Sequence, residues 1–121
     1  MSTKIRTSIE QSKKLLSLGL DPNTADMFYT FNRDFNGNII GFLPSPLVSD
    51  GFIDIDGGEI PCWSLTALLE LMPIGSHIEK KKNCYACYAV YTKPLESSTP
   101  IEAAFETVCW LIEHGYIKVN K

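Results

Sequence analysis

The residues of this chain best equipped for chemistry are four cysteines, two histidines, an acidic cluster and three consecutive lysines close to tyrosines. Cys84-Tyr-Ala-Cys87 has the spacing at which paired thiols bind zinc or exchange disulfides. A redox pair needs its first thiol at a helix N-terminus, and a structural zinc site needs a second pair of ligands. This motif lies instead in a β-prone run that sends the two sulfurs to opposite faces, and His77, His114, Cys62 and Cys109 offer no compact second pair. The expectation is structural thiols without metal or other cofactor, with Cys62 and Cys109 as small core residues. Asp50, Asp54, Asp56 and Glu59 surround Gly57-Gly58, but not in the order of a calcium loop, so they read as a solvated turn. No Gly-x-Ser-x-Gly, P-loop or dinucleotide fingerprint is present. A histidine in the last turn of a helix, as His114 is placed, is accounted for by the helix dipole. No catalytic residue is assigned.

Two constellations point to partners instead. Lys80, Lys81 and Lys82 beside Tyr85, Tyr88 and Tyr91 could form a basic tip next to a stacking platform for single-stranded nucleic acid, with Lys80, Lys81, Lys82 and Tyr85 as the contacts. Against it stand a net charge of −3 and a pI near 5.3. A hairpin tip kept soluble by lysines is the simpler account. Trp110 is the second lead: the helical wheel that buries Phe105 and Ile112 turns Trp110 and Ala103 away from the sheet. A large aromatic there is covered either by the first helix or the C-terminal tail of the same chain, or by a protein partner or second copy. Trp63 either joins such a surface or staples the second helix to the core. Contact with an unknown protein, or self-association, is favoured over nucleic acid.

The elements that must position these residues follow from turn and cap signals. Thr7 or Ser8 caps a first helix with Ile9, Leu15, Leu16 and Leu18 on one stripe, ended by Gly19. Asp21-Pro22-Asn23-Thr24 is a turn or one helical turn. Met27 to Arg33 and Ile39 to Leu43 are strands joined through Asn36-Gly37-Asn38. Pro44-Ser45-Pro46 breaks the pattern, and Phe52 to Ile55, Asp56 to Gly58 and Glu59-Ile60 read as strand, turn and strand. Ser64 caps a helix from Leu65 to Met72, closed by Pro73 and Gly75. His77 to Lys82 and Cys84 to Thr92 make a second hairpin, and both faces of its second strand want cover. Leu95 to Thr99 is a polar loop. Thr99, Pro100 and Glu102 start the most fully specified helix, Gly115 stops it, and Ile101, Ala104, Phe105, Val108, Cys109, Leu111 and Ile112 share its core face. Tyr116 to Val119 reads as a last edge strand.

The phrases N-T-A-D-M from Asn23, P-C-W-S-L-T-A-L-L-E-L-M-P from Pro61 and T-P-I-E-A-A-F-E-T-V-C-W-L-I-E-H-G-Y-I from Thr99 resemble a group of short uncharacterised proteins that look like products of phages and other mobile elements of gut bacteria. The resemblance covers under half of the chain and implies no activity and no site residues. With 121 residues and no apolar run of spanning length, the chain is expected to be one cytoplasmic α+β domain. Its sheet is mainly antiparallel, built from hairpins, with about three helices of which at least two pack on one face. The function read from it is a small accessory or protein-interaction domain.

Overall fold

The computed structural model describes residues 5–46 and 58–119, in which three α-helices accompany two three-stranded antiparallel sheets. Helix α1 (Ile9–Ser17) starts where Ser8 and Gln11 exchange hydrogen bonds: the serine hydroxyl accepts from the Gln11 amide, and the Gln11 side chain accepts from the Ser8 amide. It stops at Gly19, whose φ of 95° a residue with a Cβ adopts only under strain. The Asp21 carboxylate then caps a single 3-10 turn, Pro22–Thr24.

Strands β1 (Met27–Arg33) and β2 (Ile39–Pro46) form a hairpin. Its loop is closed by the Gly37 amide donating to the Asp34 carbonyl and the Asp34 amide donating to Asn38, with Gly37 at φ 84°. Contrary to the expected break at Pro44, β2 runs on through Pro46. It is the outer strand of the sheet order β2-β1-β3, and Pro44 and Pro46, two residues apart, occupy equivalent positions at which an edge strand needs no amide hydrogen for its neighbour. Strand β3 (Ile60–Cys62) pairs with the other side of β1, carrying the expected Glu59-Ile60 strand into this sheet. The strand expected at Phe52 to Ile55 lies outside the described residues, as do Asp50, Asp54 and Asp56.

Helix α2 (Leu65–Leu71) is capped by Ser64, whose hydroxyl accepts from the Ala67 amide. Strands β4 (His77–Lys80), β5 (Tyr85–Tyr88) and β6 (Leu95–Ser97) form the second sheet in that order. The expected long strand to Thr92 stops at Tyr88, because the chain turns at Ala89, whose carbonyl accepts from the Thr92 amide. The expected loop after Leu95 is instead β6, which completes the hydrogen bonding of β5 along its free edge.

Helix α3 (Pro100–Glu113) begins as its sequence dictates, with the Thr99 hydroxyl accepting from the Glu102 amide and Pro100 in the first turn. All seven residues of its expected core face are buried. So are Ala103 and Thr107, on a further side of the helix, where the Thr107 side chain meets Cys87 of β5. Tyr116 to Val119 is not a strand. Gly115 takes φ 80°, and the amides of Tyr116 and Ile117 both turn back to the Leu111 carbonyl, folding Ile117 into the core.

The apolar core gathers Leu15, Trp63, Leu68, Cys87, Ile101 and Leu111 with their neighbours from α1, α2, α3 and β5. Among the described residues, no side chain of β1 or β2 belongs to it. The hairpin is joined to the body by the pairing of β1 with β3 and by polar contacts centred on Thr7, which is fully buried. The Thr7 hydroxyl accepts from the Trp63 amide and shares a hydrogen bond with Ser12, while its carbonyl accepts from the Tyr29 hydroxyl of β1 at 2.7 Å.

Candidate functional site

The four thiols are unpaired. Cys87 points into the core toward the Met72 sulfur at 3.7 Å, and Cys84 lies half-buried just before β5, so the two do not meet in one site. Burial pushes the Cys62 thiol up to about 12 and the Cys109 thiol up to about 11, and raises that of Cys87 as well. These are the settings of inert thiols, because nucleophilic attack needs the thiolate. Among the described residues, no group of three or more His, Cys, Asp or Glu side chains is placed to hold a metal ion. The two histidines each serve a ring stack. His77 lies on Tyr88 at 5.0 Å between centroids, and His114 lies on Trp110 at 3.9 Å.

The lysine run does not form one basic platform. Residues opposite one another in an antiparallel pair share a face, so Lys80 and Tyr85 lie on one face of the sheet, and His77, Glu79, Ala86, Tyr88 and Glu96 on the other. Lys81 reaches across the latter face. Its ammonium group donates to Glu96 at 2.9 Å and stands 6.0 Å from the centre of the Tyr88 ring. The Glu96 hydrogen bond, helped by Tyr88, raises the Lys81 pKa and keeps the amine protonated. Ala86, between Glu79 and Glu96 on this face, is fully buried. Lys82 remains exposed in the turn.

Trp63 is fully buried, which removes it from any surface. Its indole nitrogen donates to the Thr24 hydroxyl at 2.9 Å, and its backbone is bonded to Thr7, so it is the staple that fastens the start of α2 to the core. Trp110 is half-buried under residues of its own chain. His114 stacks on it, with the Nδ1 hydrogen donated to the Trp110 carbonyl, and Tyr116 lies parallel at 5.9 Å. Tyr116 in turn stacks on Tyr91 at 4.5 Å. The C-terminal turn therefore supplies the cover that the helical wheel left open.

Among the described residues, several large apolar side chains are exposed together on the β1–β2 hairpin. Ile39 is 51% exposed, Ile40 62% and Leu43 48%, and Phe35 at the loop is fully exposed. A bulge at Ile40 interrupts the register between Asn32 and Arg33, and Phe42 packs at a tilt on Phe31, whose ring also carries the Arg33 guanidinium. Gly58 approaches this same ring so closely that a Cβ there would sit 2.3 Å from the tip of Phe31. Phe31 is thus contacted both by Gly58 and by Phe42 of the outer strand. The sequence does carry a signal for this surface, since no charged residue occurs between Asp34 and Asp50. Edge strands exposed to water ordinarily carry charges.

Comparisons of the chain with protein-family models, with curated proteins and with solved structures found no match. No helix among the described residues is long and apolar enough to cross a membrane.

Proposed function

We propose that this chain is a small cytoplasmic accessory domain that works by binding protein, with the β1–β2 hairpin as its contact surface. The observation that carries the reading is an outer strand that exposes Ile39, Ile40 and Leu43 without a charged residue among them, on an arm of which Tyr29 is the one buried side chain among the described residues. By the register, Ile39 and Phe42 share the face of Phe31 and Arg33 while Leu43 shares that of Thr30, so the edge strand offers apolar side chains on both faces, a kind of edge that proteins ordinarily cover or charge. The four unpaired thiols accord with a reducing compartment. Trp110 takes a lesser place in this reading because its ring is already engaged by His114 and Tyr116. Nucleic-acid binding has less behind it than protein binding, since Lys81 is committed to Glu96 and Lys80 faces away from Tyr88.

The test places a photo-activated cross-linking residue at Ile40 and, in a separate variant, at Lys13 on the exposed side of α1. The reading requires one discrete adduct, with a second copy or another protein, from position 40 and none from position 13. That adduct must disappear when Phe42→Lys and Leu43→Lys are added. Equal cross-linking from both positions, or an adduct that survives the two lysines, overturns it.

A further inference from the structure

We draw no further inference here: the strongest candidate, the uncharged outer edge of the β1–β2 hairpin, belongs to the surface already proposed for protein binding, and nothing in the structure shows what covers it.

Discussion

The two sheets have the same plan, a central strand with an antiparallel neighbour on each side, and opposite fates. In the β4–β6 sheet the centre is made of small residues, and Ala86 and Cys87, which face opposite ways, are both fully buried. Helix α3 closes one side and the Lys81 arm crosses the other. In the β1–β3 sheet the centre is made of Phe28, Tyr29 and Phe31, of which only Tyr29 is buried, and the outer strand is left open. Short turns close the β1–β2 and β4–β5 hairpins, and in each sheet a third strand then pairs along the free side of one of their strands. Burial differs between them: Pro100 starts a long amphipathic helix directly after β6, and that helix packs on β5 and β6, whereas Ile39, Ile40, Phe42 and Leu43 of β2 stay exposed.

The comparison is broken most severely at the joint between the halves. Replacing Trp63 by Ala removes the largest fully buried side chain and the donor to Thr24, and should cost about 3–5 kcal/mol in denaturant unfolding. A loss under about 1 kcal/mol would mean that the hairpin and body are not fastened through this residue. Gly58→Ala comes next. It combines a φ of 100° with the overlap on Phe31, and about 1–3 kcal/mol of destabilisation is expected. Phe31→Leu in the same chain should recover part of it.

The thiols give a gentler contrast through pH. Cys62 and Cys109 are pushed up from the ordinary value by burial, so the unfolded chain ionises first as the solution becomes alkaline. Stability is then intact below about pH 9 and falls as pH rises from there toward the folded values of about 12 and about 11. Melting temperature measured from pH 7 to pH 11 should decline, and decline less in Cys62→Ala measured against its own neutral value. At neutral pH an alkylating reagent should modify Cys84 and spare the other three until the chain unfolds. The smallest effect is reserved for the open strand: Ile40→Lys should leave unfolding within about 0.5 kcal/mol of wild type, because its side chain is mostly exposed and lies outside the core of the described residues. A larger loss would place Ile40 in the folding core and end the contrast between the sheets.

Much of this architecture is legible in the chain because its strongest signals are short-range. Thr99, Pro100 and Gly115 fix α3, Asp21 and Pro22 fix the 3-10 turn, and Asn36-Gly37 fixes the first hairpin, each through bonds spanning a few residues. The misreadings share a cause. Leu95–Ser97 is too short and polar to announce a strand, and becomes one because β5 has a free edge beside it. Tyr116 to Val119 has β-prone residues but is captured by the Leu111 carbonyl. The wheel turned Trp110 and Ala103 to one side of α3, yet Ala103 is fully buried there, and a wheel contains neither the neighbouring elements nor the ring of Tyr116. The same limit hid the hairpin surface, for apolar residues on a strand say only that something should cover them.

Pro44 and Pro46 give the open strand one more property. A strand added to the outside of β2 would meet two nitrogens without hydrogen, so copies of this chain are poorly suited to stack edge to edge into a continuous sheet. An apolar arm is thereby kept sticky through its side chains but resistant to polymerisation through its backbone.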